Sequence, residues 1–300
     1  MSRRNLPMLI ILTLSLILIA GTTIAKSSNV KKKAPVYYLS LGTSLAAGVQ
    51  ADPATGENIV TDVSYPSIVA ETLSGNIKKL RHVNLGCPGE TSDTFIDGDG
   101  ICDYPRGSQL DEAVNFLHAY GKFTGLITID LGANDALECV DGPIIDNECF
   151  KERVLELSSN LAYVIRALRN VAGPNVPIVG MDYYNPLLVF WIDDPSLARQ
   201  TATLQALLNG ALLGVYTSLG LPMADVSGAF MSNGFTDSDG SGVPDNVELI
   251  CAWTWMCPEP EGNRNILPNI HPNATGYGVI ADQFLNVLRR IPISKPSRRR

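Results

Sequence analysis

Short apolar runs alternate with amphipathic stretches along most of the chain. No other feature narrows the fold as far. Val36-Tyr-Tyr-Leu-Ser-Leu-Gly42 and Leu126-Ile-Thr-Ile-Asp-Leu-Gly132 read as buried strands, the second apolar on both sides of its alternation. Strands of that kind suit a parallel sheet covered on both faces. Residues 82–86, 176–181 and 222–226 read as three more strands. Between them, residues 64–73, 110–120, 150–171, 195–219 and 274–288 carry helical spacing. Ser108 and Asp193 or Asp194 stand where N-caps belong, and Gly220 stands where a helix would stop. Strand and helix in alternation predict one doubly wound α/β domain with a parallel sheet. Residues 228–268 read as irregular, rich in Gly, Pro, Asp and Cys.

Composition closes off other classes. Hydrophobic residues make up 45% of the 300, far above what a disordered chain carries. A net charge of −7 argues against a nucleic-acid binder. The first residues have the three-part form of an export signal: Ser2-Arg3-Arg4, an uncharged apolar stretch over 6–20, then small residues up to Ala25. A cut after Ala25 is expected, which makes the mature protein secreted; an uncleaved membrane anchor is the alternative. Residues 26–34 read as a polar linker, 35–292 as the folded domain, and 293–300 as a solvated basic tail. Export also places six cysteines in an oxidising compartment. They fall in near pairs, Cys87 and Cys102, Cys139 and Cys149, Cys251 and Cys257. Short loop staples are the simplest pairing, although sequence alone does not choose the connectivity.

In an open parallel sheet, ligands bind at the carboxyl ends of the strands. Gly42-Thr43-Ser44-Leu45 follows the first strand, and Asn84-Leu85-Gly86-Cys87-Pro88-Gly89 the second. Gly132-Ala133-Asn134-Asp135 ends the third, and Ile270-His271-Pro272-Asn273 precedes the last helix. A Ser, a Gly, an Asn and a His thus share one edge, a set suited to acyl transfer. Ser44 would be the nucleophile, His271 the base that takes its proton, and Ser44 N–H, Gly86 N–H and the Asn134 amide the oxyanion donors. Each also has a plainer role. Ser44 could cap a helix, Gly86 could serve a positive φ, and Asn134 could turn the chain. His82 and His118 read as structural or solvated. Trp253 and Trp255 read equally as a wall of an acyl pocket or as a packed loop.

These four blocks, in this order and spacing, resemble the SGNH hydrolases, also called GDSL-like esterases and lipases, over roughly residues 35–290. Thr43 stands where the family's name has Asp. Cys251-Ala-Trp-Thr-Trp-Met-Cys257, together with the blocks, is similar to secreted bacterial members. The resemblance implies a three-layer α/β/α sandwich on a five-stranded parallel sheet, and serine ester hydrolysis without a cofactor. The family's third acid usually sits three residues before the histidine, and Pro268 occupies that place here. The group that orients His271 is therefore open among Asn269, a backbone carbonyl and an acid from elsewhere. The implied substrate is a small-molecule, lipid or acylated-sugar ester, with no obligatory protein partner. A carbohydrate O-deacetylase would use the same atoms with a small acyl pocket.

Residues 237–248 follow the spacing of a twelve-residue calcium loop. Asp237, Asp239, Ser241, Asp245 and Glu248 would supply side-chain oxygens, and Val243 its carbonyl. A structural Ca²⁺ is the candidate ligand there, with an acidic surface turn as the plain reading. A non-catalytic, calcium-dependent binding protein is the rival from another functional class.

Overall fold

Val36–Gly42 (β1), Leu80–Asn84 (β2), Thr124–Asp130 (β3), Ile178–Met181 (β4) and Met223–Ala224 (β5) form one parallel sheet in the order β2-β1-β3-β4-β5. The computed structural model describes residues 34–257 and 268–293. The expected export signal and nearly all of the expected linker and basic tail lie outside the described residues. Every residue of β1 and β3 is buried, as two-sided apolar strands require. The strand order reverses between β1 and β3, and that switch point is where such sheets open a crevice.

The helices include Ser44–Ala47 (α1), Tyr65–Ser74 (α2), Gln109–Tyr120 (α3), Asn147–Ala172 (α4), Pro195–Ser218 (α5), Asp245–Trp253 (α6) and Ala274–Leu288 (α7), with the short helix Ala133–Leu137 between α3 and α4. α3, α4 and α5 pack side by side, while α2 pairs with α7. Helices thus flank the sheet as a three-layer α/β/α sandwich. Side chains at the helix starts explain their positions. Ser64 and Ser67 form a capping box before α2, Ser108 accepts the Asp111 N–H, and Asp194 accepts the N–H groups of Ser196 and Leu197. Leu219, not Gly220, is the C-cap of α5.

Two expectations change. The second strand lies two residues earlier than 82–86, because β2 pairs with β1 from Val36↔Leu80 to Ser40↔Asn84 and then leaves the sheet. The stretch 228–268 is not irregular throughout. Pro244 caps α6, and Thr254–Trp255 pairs antiparallel with Asn269–Pro272. Proline suits a helix start, since the N–H it lacks would have no partner there.

All three short pairings form: Cys87–Cys102, Cys139–Cys149 and Cys251–Cys257. The first closes a separation of 15 residues, worth about 3 kcal/mol in the chain-entropy account. Among the described residues, no helix is long and apolar enough to cross a membrane.

Candidate active site

β1 ends at Gly42, and the chain turns at once into the single-turn helix α1. Thr43 is the N-cap, its hydroxyl oxygen accepting the Leu45 N–H at 3.5 Å. Ser44 is therefore the first helical residue and not the cap. β3 leads through Gly132 into the short helix Ala133–Leu137, which carries Asn134. His271 lies on Asn269–Pro272, just ahead of α7. Ser44, Asn134 and His271 border one cleft.

Of the groups open to orienting His271, the one that meets its ring is Asn269. Its Oδ1 lies 2.7 Å from His271 Nδ1 and also accepts the His271 backbone N–H at 3.0 Å. Asn269 is held in turn, its Nδ2 donating to Asn58 Oδ1 at 2.7 Å. An amide oxygen can only accept, so Nδ1 carries the proton and Nε2 the lone pair. Burial brings the imidazole pKa down to about 4, which keeps the ring neutral near pH 7. Among the described residues no hydrogen bond joins Ser44 Oγ to His271. The bonded Ser–His pair in the fold is Ser40 Oγ with His82 Nε2, at 2.8 Å. Ser40 is fully buried and His82 stacks on Tyr38, so that pair is packing, in keeping with a structural role for His82. His118 is exposed on α3.

Gly86 does not fit its expected role. Its N–H already donates to Asn84 Oδ1 at 3.0 Å. Its φ is not positive either; a glycine is needed because a Cβ would come within 2.6 Å of Ala46 Cβ. The residue of this turn with positive φ is Gly89, exposed and with nothing near a notional Cβ. Asn134 Nδ2 donates to the carbonyl of Glu90 at 2.8 Å, which ties Asn134 to the residue that follows Gly89. Asp135 strengthens that tie by accepting the Ser92 N–H at 3.0 Å and hydroxyl at 2.5 Å. In the sequence, Pro88-Gly89 is the dipeptide that signals such a turn.

Residues distant in sequence wall the cleft. Val140 and Ile145 belong to the hairpin inside the Cys139–Cys149 loop, and Phe150 follows it. Leu187 comes from the 3-10 segment Pro186–Ile192, and Leu204 and Leu208 from α5. Trp253 and Trp255 are not among them. Trp253 packs edge-on against Phe230 at 5.0 Å, and Trp255 pairs with Asn269.

The candidate calcium loop at 237–248 is closed by hydrogen bonds of its own. Asp237 spends both oxygens on the backbone N–H groups of Gly240, Ser241 and Gly242. Asp239 accepts the Ser241 N–H, and Asp245 accepts the N–H and hydroxyl of Ser238. The Ser241 hydroxyl contacts the Val243 carbonyl and Glu248. Among the described residues no three metal-ligating side chains converge. Chelation with EDTA should therefore leave the melting temperature within about 1 °C and ester hydrolysis unchanged. A calcium-dependent gain in melting temperature would show that the loop rearranges to bind.

Comparison with known proteins agrees with this fold. An extracellular lipase from Streptomyces rimosus superposes with a TM-score of 0.53 at 18% identity, over 85% of this chain and 99% of that one. A putative arylesterase from Agrobacterium tumefaciens gives 0.51 at 15% identity, over 85% and 99%. At such identity these likenesses show the fold alone. Among curated proteins, none matches by sequence. The model of one family, however, matches residues 40–279, which include every segment carrying Ser44, Asn134 and His271. That span makes this chain a member of the GDSL-like lipase/acylhydrolase family.

Proposed function

We propose that the protein is an exported serine hydrolase that cleaves esters of apolar carboxylic acids through an acyl-enzyme. The reading rests on one observation above all: Ser44, Asn134 and His271 border a single cleft whose walls are largely aliphatic. In this scheme Ser44 Oγ attacks the ester carbonyl while His271 Nε2 takes its proton. The carbonyl oxygen becomes an oxyanion, held by the N–H of Ser44, the N–H of Gly89 in place of Gly86, and the second Asn134 amide hydrogen. The oxyanion collapses, and the imidazolium returns the proton to the departing alkoxide. Water then attacks the acyl-enzyme with the same base and frees the acid. The scheme calls on no cofactor. Three disulfides support export, since cytosolic thiols stay reduced.

The aliphatic walls favour acyl chains longer than acetyl, and so a lipase or esterase over a sugar deacetylase. Each buried methylene is worth about 0.8 kcal/mol, or roughly a fourfold gain in kcat/KM. On a p-nitrophenyl ladder from acetate to palmitate, kcat/KM should climb by about that factor per methylene until the cleft is full. A fluorophosphonate probe should label the peptide that contains Ser44. Acetate as the best substrate would favour the deacetylase, and an unlabelled folded protein would overturn the serine mechanism.

A further inference from the structure

The two residues ahead of Ser44 sit in a buried polar cradle. The Thr43 backbone N–H and hydroxyl both donate to Asp130 Oδ1, at 2.8 and 2.6 Å. The Gly42 N–H donates to Gln109 Oε1 at 2.6 Å, and Gln109 Nε2 donates back to the Gly42 carbonyl at 3.0 Å. The same Nε2 donates to Glu90 Oε2 at 3.0 Å, which fixes the Gln109 amide. Asp130 and Gln109 are both 0% exposed, and neither borders the cleft. Gly42 has a φ of 130°, and a Cβ there would fall 2.1 Å from the Asp130 carbonyl oxygen. The turn therefore lies directly on Asp130.

Stability does not account for this carboxyl. Its neighbours in β3 are Leu, Ile and Thr, and an aliphatic side chain would complete the apolar strand. Burying a carboxylate is costly unless it is paired and fully bonded. Here Oδ2 makes no full hydrogen bond among the described residues, and burial pushes the carboxyl up to about 7 against the pull of Thr43 and, more weakly, of the Tyr65 hydroxyl and the Ala46 N–H. Its two full hydrogen bonds go to the residue next to Ser44. Thr43 stands where the family's name has an acid, so the carboxylate at this turn comes instead from the adjacent strand.

We infer that Asp130 is a positioning residue for ester hydrolysis: it holds Thr43 so that Ser44 enters α1 in one orientation, while Gln109 grips Gly42. This rests on the serine mechanism proposed above. The cradle acts through backbone geometry, and a displacement of about 1 Å at a reacting atom costs on the order of a hundredfold in rate.

Asp130→Ala, Asp130→Asn and Gln109→Met test it, each by melting curve, steady-state kinetics on p-nitrophenyl octanoate and rate of fluorophosphonate labelling. Asp130→Ala should lose roughly thirtyfold or more in kcat and in labelling rate, with KM within about threefold, because no wall of the cleft is touched. Asp130→Asn keeps an oxygen that accepts both Thr43 bonds, so it should recover to within about fivefold of wild type. Gln109→Met should lose about tenfold in kcat and carries the test if Asp130→Ala does not fold. A folded Asp130→Ala or Gln109→Met with kcat near wild type would overturn the inference, whatever its melting temperature. So would an Asp130→Asn as inactive as the alanine variant. A wild type that neither turns over nor labels would instead overturn the serine mechanism, and this role with it.

Discussion

Ser44→Ala should retain no more than about one part in ten thousand of the wild-type kcat/KM on any ester the wild type cleaves. The variant has no atom that can form the acyl bond. What survives is the oxyanion site and substrate binding, which still speed attack by water. The loss should fall on kcat, with KM nearly unchanged, because a methyl in place of the hydroxyl leaves the aliphatic walls intact. Folding should be unaffected. Ser44 is buried, yet its hydroxyl makes no hydrogen bond among the described residues, so its removal strands no partner. The melting temperature should therefore stay within about 2 °C of wild type. Residual activity above about one per cent in a homogeneous preparation would mean that another group is the nucleophile.

Part of this site is legible in the sequence because strand ends announce themselves. β1 and β3 are apolar runs that stop near a glycine, and the topology rule sends chemistry to the turns at their carboxyl ends. Ser44 and Asn134 stand out in that way, and His271 by its place before a capped helix. The sandwich is legible for the same reason, since two-sided apolar strands have no other home. The second glycine is the exception. Gly86 and Gly89 are three residues apart and equally plausible on paper. The fold separates them: the Asn84 side chain captures the Gly86 N–H, and Gly89 is the one with positive φ.

Other features depend on contacts that local sequence does not encode. Asp130 sits in a strand with an apolar pattern, and its partner Thr43 is 87 residues away. The cleft walls come from a disulfide-closed hairpin, a 3-10 segment and α5, which converge only in the fold. Asp245–Trp253 is hidden in the sequence because the acidic run before it matches a calcium loop. In the structure those carboxylates satisfy backbone N–H groups, and Pro244 starts the helix.

His271→Ala should lose about as much as Ser44→Ala, and the double variant should be no worse than either, because nucleophile and base act as one unit. The pH profile then reports on Asn269. A base works in its neutral form, so the acid limb of kcat/KM follows the His271 pKa. Burial holds that value near 4. Activity should thus stay level from about pH 5 upward and fall tenfold per unit below 4. Asn269 fixes the tautomer by accepting the Nδ1 proton, but a neutral amide does little to stabilise the imidazolium that forms during attack. Asn269→Ala should therefore cost roughly ten- to a hundredfold in kcat, through a ring no longer held in place. Asn269→Asp puts a negative charge beside the ring, and opposite charge favours the protonated imidazole. The acid limb should move up by roughly one pH unit or more, with kcat above that limb at least equal to wild type. Asn58 can turn its amide to donate to the new carboxylate. If Asn269→Asp left the limb unmoved while His271→Ala abolished activity, Asn269 would not be the group that sets the state of His271.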